Sequence, residues 1–213
     1  MSKKGYIIAA GIVLMAFLLC SCGNKGKGDS QSEGSLMKNF FEFLIKRNQY
    51  EELKTDELSG INDSELKEAV MSWMWGKVDG NWENQYEIIT SLSEPCQYVY
   101  ACYTVMDELE NGGFEQVFYN SSREFVLMAR EGFENLGSEA YRSMMDKAIT
   151  IYEENKVLYE SYRDGTVEGF SNLYKEKLFD GLDTEFLDGR EKFYELAVAY
   201  IREHESLFGN NIH

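Results

Sequence analysis

Apolar residues recur three and four positions apart through most of this chain, and a single proline interrupts them in 213 residues. That spacing lines one face of a helix, whereas a half-buried strand needs alternation with period two. No convincing period-two run stands outside loops, so the fold class expected is all-α. At 44% apolar and 14% aromatic residues, the chain has enough non-polar surface for one domain with a real core.

The stripes and their punctuation give the helices. Residues 36 to 53 set Met37, Phe40, Phe41, Leu44 and Ile45 on one face. Asn62 stands three before Glu65, a capping-box-like start for a helix that should fade at Gly76. Gly80 and Asn81 make a turn, and Trp82 to Leu92 reads as a short helix. Ser93, Glu94 and Pro95 open a stronger one, since proline in a first turn loses no bond it could have made. Its stripe is Tyr98, Cys102, Val105 and Leu109, flanked by Val99 and Met106, and Asn111 with Gly112 should stop it. Ser121 with Glu124 resembles a second capping box, ahead of Phe125, Ala129, Phe133 and Leu136. Beyond Gly137 and Ser138, a broad face carries Tyr141, Met144, Met145, Ala148, Ile149 and Tyr152. A short helix ending near Phe179 follows, then a last helix capped by Asp188 and Glu191. Its stripe is Phe193, Leu196, Ala197, Tyr200, Ile201, His204 and Leu207. The expectation is a single compact all-α domain of about seven to nine helices over residues 36–213.

The first 35 residues read differently. Lys3 and Lys4 form a basic start, and residues 5 to 19 are uncharged and mostly apolar. An uncleaved anchor wants ~20 apolar residues, so length alone barely separates anchor from signal peptide. The order Leu19, Cys20, Ser21, Cys22 decides, because it resembles the bacterial lipobox. That resemblance implies a lipoprotein signal peptide over residues 1–21, with diacylglyceryl transfer to Cys22, palmitate-type acylation and cleavage before it. Residues 22–35 then comprise the lipidated cysteine and a flexible tether rich in Gly, Ser and Lys. Several acyl chains anchor stably where one holds only marginally. The expected location is the cell envelope, lipid-anchored outside the cytoplasmic membrane, in the cell membrane or the outer membrane.

The formal charge is −16, and processing removes two lysines and no acid, taking it to −18. DNA and anionic lipid surfaces are therefore poor partners for the folded domain, and no nucleic acid is expected. Two cysteines remain after Cys20 and Cys22, namely Cys96 and Cys102. On one helix six residues span ~9 Å of rise and face different ways, so they cannot pair without breaking it. They read as small core residues.

One stretch breaks a local rule. In "DELENGGFEQVFYNSS" a helical stripe ends in Asp107, Glu108 and Glu110, although carboxylates are unfavourable where helix carbonyls lie exposed. Glu108, Asn111, Gly112, Gly113, Phe114, Gln116, Phe118 and Asn120 match a signature, and on them the chain resembles the bacterial domain of unknown function 4375 family, the family of a Neisseria DNA-mimic protein. The resemblance covers about residues 63–208. It implies an α-helical domain and a possible homodimer, and it leaves DNA mimicry to the placement of surface acids. From the residues themselves the stretch reads as a self-satisfied turn. Gly112 and Gly113 reverse the chain, Phe114 and Phe118 drop onto the core, and Asn111, Gln116 and Asn120 saturate the helix ends. Glu108 should accept from that turn while Asp107 and Glu110 stay solvated.

No set of residues announces catalysis. His204 and His213 are the only histidines, and His204 falls on an apolar stripe where a packed or half-buried imidazole is expected. Nucleophile-elbow, zinc-protease and phosphate-loop motifs are absent. Asp180, Asp183, Glu185 and Asp188 lack the ligand order of an EF-hand and read as caps and a solvated turn. No catalytic residue, metal or cofactor is expected. Trp73 and Trp75 cannot share a helix face, so one of them or Trp82 should be exposed. Asn120-Ser121-Ser122 matches a glycosylation sequon and reads as a cap. The favoured function is a non-catalytic, protein-binding envelope module. The alternatives are a hydrolase-like enzyme using the acid-amide cluster around Glu108 and, more distantly, an acidic DNA mimic.

Overall fold

The computed structural model describes residues 50–187 and 190–210. Helix α1 (Asp63–Val78) is largely enclosed: Leu66, Ala69, Val70, Met71, Ser72, Trp73, Met74 and Val78 are all buried. Asn62 takes the N-cap position, but its side chain makes no cap bond. Its backbone carbonyl already accepts the Glu65 N–H at 2.9 Å. The helix does not fade at Gly76. It closes two residues later, where Asp79 turns left-handed at φ 45 and donates to the Trp75 carbonyl. Trp73 is buried, Trp75 half-buried and Trp82 48% exposed, which identifies the exposed tryptophan.

A 3-10 turn (Trp82–Asn84) runs into α2 (Gln85–Thr90), and Ser93 precedes the axis of the fold, α3 (Glu94–Tyr119), with Pro95 in its first turn. Tyr98, Val99, Cys102, Val105, Met106 and Leu109 are buried along it, as their spacing requires. Gly112 and Gly113 have non-helical backbone and end the first helical stretch of α3 where the sequence places its stop. The chain kinks there and helical structure resumes to Tyr119, because Phe114, Val117 and Phe118 can bury only by continuing beside the same core.

Ser121 lies inside a 3-10 turn (Ser121–Phe125) rather than at a helix cap, and α4 (Val126–Asn135) follows. The difference is explained by Ser122, whose hydroxyl donates back to the Val117 carbonyl and tightens the turn. Helix α4 lies closely on α3, since a Cβ at Gly132 would stand 2.7 Å from Cys102 Sγ. Gly137 is left-handed and Ser138 caps α5 (Glu139–Glu154) by accepting the Tyr141 N–H. The chain breaks at Asn155 into a short α6 (Lys156–Tyr162), which the sequence did not separate from α5, and returns in α7 (Val167–Tyr174). Helices α8 (Asp180–Leu187) and α9 (Arg190–Glu203) complete the fold, with a 3-10 turn at Glu205–Leu207.

Phe193, Ala197 and Ile201 are buried, but Leu207 is 45% exposed, because the helical period ends at Glu203. His204 is half-buried, its ring tilted against Tyr200 and hydrogen-bonded through Nδ1 to the Tyr200 carbonyl. Cys96 and Cys102 are buried and unpaired. No strand occurs among the described residues; the one isolated bridge joins Lys54 to Asn210. Among the same residues no helix is long and apolar enough to cross a membrane. The expected stripe at Met37 to Ile45, the Asp188 cap, the tether and Cys22 lie outside the described residues.

Candidate functional site

The signature residues gather at the α3 kink. Gly113 has φ +70, a conformation glycine adopts without the Cβ penalty of other residues. A side chain there would also collide with Asp183, whose Oδ2 lies 2.5 Å from the Cβ position. At Gly112 the corresponding space is filled by the Gln116 side chain. Gln116 thereby reaches back over the kink and donates through Nε2 to Glu108 Oε2 at 2.5 Å. The Asn120 amide donates to the same oxygen at 2.9 Å. The Asn120 backbone N–H meanwhile closes the helix on the Gln116 carbonyl.

Phe114 and Phe118 enter the core as their four-residue spacing implies. Phe118 stacks on Tyr152 with centroids 4.5 Å apart and on Phe179 at 5.6 Å. Phe114 meets the same Phe179 ring at 5.7 Å. Asn111 is exposed, and it is the one signature residue that the turn does not draw inward.

Glu110 is exposed as expected, and Asp107 is the acid that differs. Asp107 is not left to solvent: it forms an ion pair with Lys67 of α1 at 2.5 Å. Lys67 in turn lies over the rings of Tyr103 and Tyr194, at 5.0 and 5.6 Å. Burial pushes the Asp107 carboxyl up and the lysine pulls it back down. Glu110 is exposed but accepts the Tyr194 hydroxyl at 2.8 Å.

The acidic run after Phe179 is likewise more than a solvated turn. Asp180 pairs with Lys177 and Glu185 with Lys147, both at the surface. Asp183 turns inward, and its Oδ1 accepts the Phe114 N–H at 2.9 Å, satisfying a donor freed by the kink. Beside it lies Glu115, 1% exposed, whose Oε1 accepts the Phe179 N–H. No signal from the signature pointed to Glu115. An acid one position after a core phenylalanine was the available clue.

Chemically, much of the arrangement is taken up by its own side chains. Glu108 already accepts two amide bonds, both glycine spaces are filled by side chains, and Glu115 is sealed from solvent. General acid–base work needs a carboxylate within reach of a substrate proton. An open groove lined by Tyr50, Leu53, Asp56, Glu57, Ile61 and Glu65 contains none of the signature residues. Among the described residues no group of three or more His, Cys, Asp or Glu could hold a metal ion.

A family model described as DMP19-like protein matches residues 90–204, more than half of the chain. The match starts at the end of α2, contains the whole signature, and agrees with the resemblance to the DNA-mimic protein family. No curated protein and no solved structure matches the chain.

Proposed function

The chain belongs to the DMP19-like protein family, and from that premise we propose that it is a lipid-anchored envelope protein whose helical domain binds another protein without catalysing a reaction. One observation carries this reading: the signature turn is occupied by its own side chains, with Glu108 engaged by Gln116 and Asn120. A structural turn of this kind fixes the two halves of α3 against each other and, through Asp183, against α8, and leaves binding to the outer faces. The lipobox at Leu19 to Cys22 supports the anchor.

The outer faces offer aromatic contact points. Trp82 and Tyr86 are exposed four positions apart, beside the exposed acids Glu83 and Glu87, and Tyr86 rests on Phe125. Exposed aromatics with a polar rim are the residue types that dominate protein interfaces. The test is crosslinking and pulldown from native envelopes, followed by rebinding with the purified candidate. The expected result is saturable binding that Trp82→Ala weakens. Saturable binding unaffected by Trp82→Ala and Tyr86→Ala, or turnover lost with Glu108→Gln, would overturn the reading. Acidic DNA mimicry is the distant alternative. It predicts capture of a DNA-binding protein that DNA displaces, and an exported protein would not meet a cytoplasmic one.

A further inference from the structure

Glu115 and Asp183 approach each other from α3 and α8 with the polar groups around them already used. Glu115 Oε1 takes the Phe179 N–H, Asp183 Oδ1 takes the Phe114 N–H, and Glu115 Oε2 is buried with no donor facing it. Two adjoining carboxylates, one buried and one half-buried, cannot both ionise cheaply. A proton on Glu115 resolves the arrangement, because Glu115 then donates to Asp183.

We propose that Glu115 and Asp183 form a proton-operated latch that holds α8 against the Gly112–Gly113 kink when Glu115 is protonated and loosens it when both acids are ionised. The latch is independent of the proposed binding function. It spans the segments that meet at the kink, since Phe114 and Phe179 are both its hydrogen-bond donors and have their rings in contact at a tilt. Gly113 admits it, because any side chain there would occupy the position of the Asp183 carboxylate.

Among the described residues, the titratable groups that bear on the pair are acids and tyrosines. Tyr159 faces it from α6 and donates its hydroxyl to the Glu115 backbone carbonyl, and Tyr174 faces it from α7. Tyr152 of α5 directs its hydroxyl to Glu160 instead. From α8 the additional charge is Asp180, which raises the Asp183 carboxyl and is paired on its solvent side with Lys177. Burial pushes Glu115 up to about 7, and the neighbouring Asp183 adds to that shift. The raised value belongs to the folded state. The proton's stabilising contribution is therefore complete below the ordinary glutamate value of 4.5 and is lost as pH rises through about 7.

The test is amide hydrogen exchange on the full chain at pH 5.5 and 8.0, corrected for the intrinsic base-catalysed rate. In the wild type, the Phe114 and Phe179 amides and the α8 segment should open on the order of tenfold to a hundredfold more at pH 8.0. Glu115→Gln keeps an acceptor for Phe179 and a donor for Asp183, and should abolish the difference. Asp183→Asn keeps the Phe114 bond and donates to Glu115, and should do the same; it carries the test if the first variant does not fold. Equal protection at the two pH values in the wild type, or a pH response that survives either substitution in a folded variant, would overturn the proposal.

Discussion

The Asn120 amide donates to Glu108 across 2.9 Å and twelve positions of sequence, and so closes the α3 kink on itself. The bond explains why an acid is kept where a helix would normally disfavour one. The chain needs an acceptor at that point for two amides, Gln116 and Asn120, and the helix resumes beyond the kink rather than exposing its carbonyls.

Replacing Glu108 by alanine therefore removes one acceptor from two half-buried donors. The expected loss is about 1–2 kcal/mol, read as a fall of several degrees in the melting temperature. Asn120→Ala should give a smaller fall in the same direction. An unchanged or higher melting temperature for Glu108→Ala, together with lost binding or turnover, would assign the residue a functional role instead.

Gly113→Val should be more damaging. It forces a β-branched residue to φ +70 and drives Cβ into the Asp183 carboxylate. The expected cost is about 2–4 kcal/mol, checked by urea denaturation. Gly80, also left-handed at φ +77 but with open space around its Cβ position, is the control and should cost about 1–2 kcal/mol.

Asp107→Ala should lower stability slightly, by about 0.5–1 kcal/mol, because the Lys67 pair is part-exposed and screened. The loss should shrink as salt is added. A double-mutant cycle with Lys67→Met that returns no coupling energy would show the ion pair to be thermodynamically silent.

Cys22→Ser should block lipidation and leave the unprocessed precursor. Metabolic labelling with a clickable fatty acid checks this directly, and a tagged Cys22→Ser protein would refute the anchor.

The helices were legible wherever one face is buried and the other is not. Tyr98, Cys102, Val105 and Leu109 announce themselves by spacing, and Phe125, Ala129, Phe133 and Leu136 do the same. The kink was only half legible: two glycines mark a break, but whether the chain turns away or resumes along the same core depends on Phe179 and Asp183, far along the sequence. Asp183 and Phe114 are 69 positions apart, beyond any local pattern. Glu115 was missed for the same reason. Its burial is decided by α8, and an isolated acid in an apolar helix gives no sign of where its partner lies. Asp107 was misread because Lys67 belongs to another helix, 40 positions earlier.

Asn210 joins the two ends of the described chain. Its N–H donates to the Leu53 carbonyl at 2.7 Å, and its carbonyl accepts the Thr55 N–H at 3.2 Å. Its side chain receives Trp73 and Lys77 and reaches Glu52. A pull applied at Leu53 would load the two backbone hydrogen bonds to Asn210 together. Through the Asn210 side chain the same load would pass to Trp73 and Lys77 of α1, so the seam works as a clamp that must yield at several bonds at once.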